Sequence, residues 1–308
     1  MPTNRYDLER GSFVGLQLPK RARQLALGAM LGISFLMLGA CSAESKAQAS
    51  RWAMPADSPA TEQGQYIADL WKWSWVAALV TGIIVWGLIF YVAWRYRRRS
   101  DDEIPVQTRY NLPLEIFYTI APIMMVIVFF FHTVDVQNKV LDEVDNPDQV
   151  IQVVGQQWSW TFNHTDDPTD VDGSVHYVAG TARDIPTLVL PVDQTIEFKL
   201  SSPDVIHGFW VPAFLMKMDV FPGQEGEERN SFQVHTTKEG TFMGKCTELC
   251  GVSHSRMLFN VKVVSQADYE QYLTTIPQAD HPLLGGSDAV TQVGLDEAQE
   301  HESNGGDE

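Results

Sequence analysis

Cys246-Thr247-Glu248-Leu249-Cys250-Gly251-Val252-Ser253-His254-Ser255-Arg256-Met257 places two thiols, an imidazole and a thioether within twelve residues. Soft sulfur donors with imidazole select copper over hard cations. A mononuclear blue-copper centre uses one cysteine, so a second one four residues away allows both sulfurs to bridge two metals. A further imidazole has to come from elsewhere. His207, in Asp204-Val205-Ile206-His207-Gly208-Phe209-Trp210, is the best candidate. Each residue also has an ordinary reading. A cysteine pair outside a membrane is most often a disulfide, a lone strand histidine is most often hydrogen-bonded, and Met257 by itself would be core packing. Zinc is disfavoured, because methionine is a poor ligand for it and no third cysteine is at hand.

Outward from this loop the pattern is that of short strands. Ile151–Val154, Trp158–Phe162, Leu188–Leu190, Thr195–Leu200, Val205–Val211, Ser231–Val234, Thr241–Lys245 and Leu258–Val264 are punctuated by Gly, Pro, Asp and Asn. Many short strands over about 115 residues predict an antiparallel sandwich or barrel. A loop between the last two strands can present Cys246, Cys250, His254 and Met257 around one cavity. A helix is expected from Ser265, with Asp268 completing a capping box. The chain then turns acidic, with no Lys or Arg from residue 280 onward, and reads as a disordered tail over 277–308.

Upstream lie two apolar stretches. Trp73–Trp94 is 22 residues without a charge, long enough to cross a ~30 Å hydrocarbon core. Trp71, Trp73 and Trp75 at one end and Tyr91, Trp94 and Tyr96 at the other read as interfacial belts. The second span runs from about Leu114 to Val134. Arg95, Arg97, Arg98, Arg99 and Arg109 occupy the connection, so that connection is expected on the cytoplasmic side and both chain ends outside. Glu115 near the inner end of the second span is a functional candidate, because ionisable groups in spans usually are. Its ordinary reading is a solvated boundary residue. His132 reads as interfacial, and Pro122 as a tolerated kink.

The first 24 residues carry five basic residues against two acids, followed by the uncharged run Leu25–Ala40. Sixteen residues suit a signal-peptide core better than a span. Leu38-Gly39-Ala40-Cys41 resembles a bacterial lipobox, which implies cleavage before Cys41 and lipidation of its thiol. The net charge of the 308-residue chain is −17, which argues against a nucleic-acid partner and suits a basic protein partner. Nine acids and one base, Lys139, lie between Asp135 and Asp172. Three cysteines cannot build a disulfide scaffold, and 44% hydrophobic residues exclude a wholly disordered chain.

Val205, His207, Cys246, Cys250, His254 and Met257 fit every position of Val-x-His followed by Cys-x3-Cys-x3-His-x2-Met. This resembles the copper A site of subunit 2 of the haem-copper (aa3-type) cytochrome c oxidases, in its actinobacterial lipoprotein form. The resemblance runs from about Trp71 to Tyr272. It implies an α+β membrane protein, a two-helix transmembrane hairpin followed by an all-β cupredoxin-like Greek-key barrel. The corresponding organisation is a signal peptide with lipobox (1–40), an external linker (41–70), the hairpin (71–135), the copper A domain (145–276) and the acidic tail (277–308).

The resemblance also implies a set of roles. The backbone carbonyl of Glu248 would complete the ligands of a dinuclear copper A, and its side chain would reach a magnesium shared with subunit 1. Gly155-Gln156-Gln157-Trp158-Ser159-Trp160 is similar to the aromatic segment that receives the electron from cytochrome c, which points to Trp158. Ser159 stands where relatives have an aromatic, and Trp160 reads as core. Leu114-Glu115-x-x-Tyr118-Thr119-x-x-Pro122 is similar to the segment whose glutamate lies at the entrance of a proton channel in subunit 1. The implied path runs from cytochrome c, soluble or as a domain of a respiratory supercomplex, through Trp158 and copper A to haem a of subunit 1. Oxygen reduction and proton pumping would occur in subunit 1, with the copper domain on the outer face of the plasma membrane. Two spans, a strand-only head and Met257 oppose a thiol-redox assembly protein, and the full ligand set opposes a copper-free quinol oxidase subunit.

Overall fold

The computed structural model describes residues 43–55, 59–100, 106–170, 172–181, 183–223 and 230–284, with isolated positions 19, 28 and 104. Apart from two of those positions, the expected signal peptide lies outside the described residues, as do Cys41 and the tail beyond residue 284. The chain divides into two compact units at residue 53. In the first, Ala43–Ser50 forms helix α1, where good helix formers such as Ala, Glu, Lys and Gln predominate.

In the second unit, α2 (Glu62–Arg95) and α3 (Leu112–Val140) are the two apolar helices. Each starts on a side-chain cap: Thr61 accepts from the Gly64 N–H and Asn111 from the Leu114 N–H, satisfying donors a helix start leaves open. The helix runs through Pro122 without interruption. At 34 residues, α2 is about 51 Å long, more than a ~30 Å bilayer core requires. The excess lies at the end nearest the β-domain. There α2 buries Gln63, Gly64 and Ala68 and nothing else, while α3 buries no residue. Apolar helix faces left this bare need lipid or protein around them.

The expected linker over 41–70 therefore differs from what is seen. Ala60 and Thr61 already belong to the β-domain: Ala60 N–H donates to Ala213 O and Thr237 N–H to Ala60 O, both at 2.9 Å. Thr61 bridges Thr236, and the Gln63 side chain accepts from His235 N–H at 2.9 Å. After α3, the Gln233 side chain clamps both Val144 N–H and Val144 O. Both helices are thus mounted on one edge of the head.

The head is two sheets facing across an aromatic core. One has the order β11-β3-β2-β1-β5-β8 and the other β4-β10-β9-β6-β7. The strands are β1 (Gln149–Gln156), β2 (Ser159–Thr165), β3 (Val175–Ala179), β4 (Thr187–Pro191), β5 (Thr195–Ser201), β6 (His207–Val211), β7 (Met216–Val220), β8 (Asn230–His235), β9 (Gly240–Cys246), β10 (Leu258–Val264) and β11 (Gln278–Ala279). Pairing is antiparallel except for β1 with β5 and β4 with β10. Trp160, Phe162, Phe198, Phe209 and Phe259 are fully buried between the sheets. Phe209 and Phe259 stack at 4.9 Å and 8°. This is the cupredoxin-like barrel expected, carried on the expected hairpin.

Three strands escape the sequence pattern. β3 and β7 are short and carry polar residues, and they exist because β2 and β6 offer open edges to pair with. β11 pairs with β3, and Leu283 exchanges two backbone hydrogen bonds with the Asn163 side chain. The tail expected from residue 277 thus begins as part of the sheet. Asn163, though in a glycosylation sequon, is completely buried. Helix α4 (Gln266–Leu273) starts as expected, with Ser265 accepting from Asp268 N–H.

His164 on β2 lies in this interior beside Tyr269, with its Nδ1 2.9 Å from the tyrosine hydroxyl. Its Nε2 is buried and has no partner among the described residues. Burial, and then the nearby His176, lowers its pKa from 6.5 to about 3. The folded head therefore excludes a proton that the unfolded chain binds below pH 6.5. The stabilisation is complete above that pH and is lost as the pH falls toward 3. We expect about 2 kcal/mol less stability from this group at pH 5 than at pH 7. Thermal unfolding of the detergent-solubilised chain at the two pH values checks this, with H164N showing a weaker pH dependence.

Candidate metal centre

The motif loop lies between β9 and β10. Pairing of Leu258 with Lys245 brings the ends of these strands together, and Cys246 N–H donates to Met257 O at 3.0 Å. Between them the chain folds back through a 3-10 turn at His254–Arg256. Gly251 sits at φ +120°, a conformation closed to ordinary L-residues. A Cβ there would lie 3.1 Å from the Trp158 ring. β6 delivers the distant ligand candidate: Phe209 pairs with Cys246, so His207 lands beside the loop although 39 residues separate it from Cys246.

Six donors converge as a result. The Cys246 and Cys250 sulfurs are 3.8 Å apart. Both cysteines are free and buried, and that distance is far beyond a disulfide bond. His207 Nδ1 is 3.9 Å from Cys246 Sγ and His254 Nδ1 is 3.6 Å from Cys250 Sγ. Met257 Sδ lies 3.8 Å from Cys250 Sγ. The Glu248 carbonyl lies 3.2 Å from Cys246 Sγ. The donor atoms of His207, Cys246 and Cys250 all fall within 4.8 Å of one another. Two sulfurs shared among imidazole, thioether and carbonyl form a soft set that suits copper.

Electrostatics prepare the pair for a cation. Burial opposes ionisation of Cys246, but hydrogen bonding from His207 and from the Gly208 and Glu248 backbones brings its pKa down to about 7. Cys250 moves the other way, to about 12, through burial and then the neighbouring Cys246 charge. Cys246 is thus the more acidic of the pair, and binding a metal, which needs both thiols deprotonated, would release protons.

The two tryptophans occupy different environments. Trp160 is core: it is fully buried, meets His207, Phe209 and Phe259 edge-on and lies with its indole N–H directed to Met257 O at 3.4 Å. Trp158 is only partly buried. It was expected to open strand β2, but Gln157 and Trp158 form the two-residue turn between Gln156 and Ser159. This puts the Trp158 indole on the metal loop, donating to Cys250 O at 3.1 Å. The Gln157 amide donates to the same carbonyl at 2.7 Å.

The strand expected from Val205 begins instead at His207. Residues 202–205 close a side-chain turn, in which Ser202 Oγ donates to Val205 O and the Asp204 carboxylate accepts from Val205 N–H. Asp204 and Gln157 are functional candidates that sequence reasoning missed, and the only signal was the spacing of Asp204 three residues before His207. Glu115 lies apart, in the first turn of α3, where its carboxylate accepts from Asn111 N–H at 2.9 Å. That capping bond gives it a structural purpose. Cys41 lies outside the described residues.

The fold and the donor cluster define a class: a copper-binding cupredoxin-like domain anchored by a membrane hairpin. The family model for the periplasmic domain of cytochrome c oxidase subunit II matches residues 149–264. The chain is 45% identical over 258 residues to the probable cytochrome c oxidase subunit 2 of Streptomyces avermitilis, covering 72% of this chain and 78% of that protein. It is 36% identical over 299 residues to cytochrome c oxidase subunit 2 of Mycobacterium tuberculosis, covering 82% and 81%. The chain belongs to the cytochrome c oxidase subunit 2 family. The solved periplasmic domain of Bradyrhizobium japonicum subunit II is 28% identical, with a TM-score of 0.37 over 43% of this chain and 96% of that one. Membership makes this chain a membrane-anchored subunit of a haem-copper oxidase, associated with the other oxidase subunits.

Proposed function

We propose that this subunit accepts electrons from a cytochrome c at a dinuclear copper A centre and passes them to haem a of subunit 1, which reduces oxygen and pumps protons. The carrying observation is the convergence of Cys246, Cys250, His207, His254, Met257 and the Glu248 carbonyl around one pair of buried sulfurs. Copper bound there supplies a one-electron couple. The residues supply the rest. The loop is anchored to both flanking strands, which would limit movement of its donors when the electron is gained or lost, and the two sulfurs are buried away from water.

Trp158 is the electron-accepting residue. Its partly buried indole is hydrogen-bonded to the carbonyl of Cys250. Leu249 and Val252, 83% and 94% exposed, give the loop an apolar tip. The acids from Asp135 to Asp172 flank Trp158 in sequence, and the chain's net charge of −17 attracts a basic haem protein. The Glu248 side chain would reach a magnesium shared with subunit 1, and Glu115 would stand at the entrance of a proton channel of that subunit. Residues 1–40 are a signal peptide and Cys41 is lipidated. The head then lies on the extracytoplasmic face of the plasma membrane, with the arginine-rich connection inside.

The test is stopped-flow reduction of the intact oxidase by a basic ferrocytochrome c. W158F is expected to slow electron acceptance about tenfold, a barrier rise of ~1.4 kcal/mol, while copper content stays unchanged. Rising ionic strength should slow the native protein through screening. Native rates in W158F would remove Trp158 from the path, and an absence of copper in the native oxidase would remove the centre.

A further inference from the structure

One carboxylate joins the two halves of this site. Asp204 Oδ1 accepts from His207 Nε2–H at 2.9 Å and from Val205 N–H at 2.6 Å. Asp204 Oδ2 accepts from the backbone N–H of Gln157 at 2.7 Å. Gln157 is the first residue of the turn that carries Trp158, and its side chain shares the Cys250 carbonyl with the indole. His207 is completely buried, and its other nitrogen, Nδ1, faces Cys246 Sγ. A closed circuit results: from the ligand histidine through Asp204 to the Trp158 turn, and from that turn through the Cys250 carbonyl back to the sulfurs.

We propose that Asp204 is a positioning residue that holds His207 and the Trp158 turn in one register through its two oxygens. This rests on the copper reading above and extends it to how ligand and electron-accepting residue are kept together. By taking the Nε2 proton, Oδ1 fixes the histidine tautomer and leaves the Nδ1 lone pair directed at the metal pocket. Such outer partners orient a ligating imidazole and raise its basicity. By taking the Gln157 N–H, Oδ2 fixes the turn. β6 and β2 belong to different sheets, so backbone pairing alone does not tie His207 to Trp158. The carboxylate does so across the gap.

The two oxygens have separable tasks, and two substitutions separate them. In D204N the amide oxygen keeps the two donors now served by Oδ1, while its NH2 group faces the Gln157 N–H, donor against donor. Only the link to Trp158 is lost. In D204A both links are lost. In the intact oxidase, D204N is expected to retain native copper affinity but to accept electrons from ferrocytochrome c several-fold more slowly. D204A is expected to bind copper about 10–100-fold more weakly as well, with an altered spin-resonance hyperfine pattern. D204E, which keeps both acceptor oxygens, should recover part of the affinity lost in D204A.

A second measurement does not depend on copper. In the metal-free full chain, selectively 15N-labelled at histidine, His207 should show a protonated Nε2 that exchanges slowly with solvent, and D204A should abolish that signal. Native copper affinity and native rates in both variants, or an unchanged Nε2–H signal in D204A, would overturn the role of Asp204. So would equal loss of copper in D204N and D204A with native electron acceptance. A native chain that takes up no copper but shows the Asp204-dependent Nε2–H would overturn the copper reading and leave the positioning role standing.

Discussion

C250S is expected to lower electron acceptance from cytochrome c by more than about 100-fold and to strip the oxidase of its sulfur-to-copper absorption in the visible. Cys250 is the hub of the cluster. Its sulfur is the neighbour of Cys246 Sγ, His254 Nδ1 and Met257 Sδ, at 3.8, 3.6 and 3.8 Å. A serine hydroxyl is shorter and hard, and it ionises far less readily, so it cannot bridge soft metal ions. Loss of an outer hydrogen bond alone costs up to about 100-fold at metal sites, and loss of a shared ligand should exceed that. The fold should survive, because the two side chains are close in volume and the buried serine hydroxyl has His254 Nδ1 as a neighbouring hydrogen-bond partner, which offsets the cost of burying it. Copper per haem, visible absorption and the unfolding temperature of the variant oxidase decide the matter together. Retained copper and native rates would show that Cys250 is not a ligand.

W160A is expected to destabilise the head by about 3–5 kcal/mol, the range for removing a fully buried large aromatic. This is a large share of the 5–15 kcal/mol that typically separates folded from unfolded domains. Trp160 is 0% exposed. Its ring meets Phe209 at 5.7 Å and Phe259 at 5.3 Å, from the sheet opposite its own, and His207 at 6.2 Å. The cavity left behind would lie beside His207 and the backbone of Met257. Loss of stability and loss of copper should therefore appear together in W160A, whereas W158F should lose electron acceptance with little change in unfolding temperature. Thermal unfolding of the two variants side by side, with copper analysis, tests the contrast. Equal stability loss in both would contradict the assignment of one tryptophan to the core and the other to the surface.

Much of the site was legible before any coordinates. The spacing Cys-x3-Cys-x3-His-x2-Met needs only local chain geometry to put its donors on one loop, and alternating apolar residues announced β5 and β10, which fix the two sheets. The hairpin was equally plain, because a ~30 Å apolar layer demands uninterrupted apolar length. Strand boundaries were less legible. β7 and β3 lack a strong apolar pattern and form because a neighbouring edge accepts them. The start of α2 was hidden because Glu62–Leu70 mixes polar and apolar residues. It is helical through its Thr61 cap and its docking on the head.

The amino-acid order by itself determined which chemistry this chain carries and on which segments. Donor softness, apolar length and charge sign are properties of residues and short stretches. Only the tertiary structure decided which residues serve that chemistry from a distance. It set Trp158 in a turn against the Cys250 carbonyl, kept the two thiols 3.8 Å apart, and gave Asp204 both His207 and Gln157, the latter 47 residues away. The physical reason is that such contacts depend on sheet register and on hydrogen-bond directions across the barrel, where a shift of one residue would turn each side chain to the opposite face.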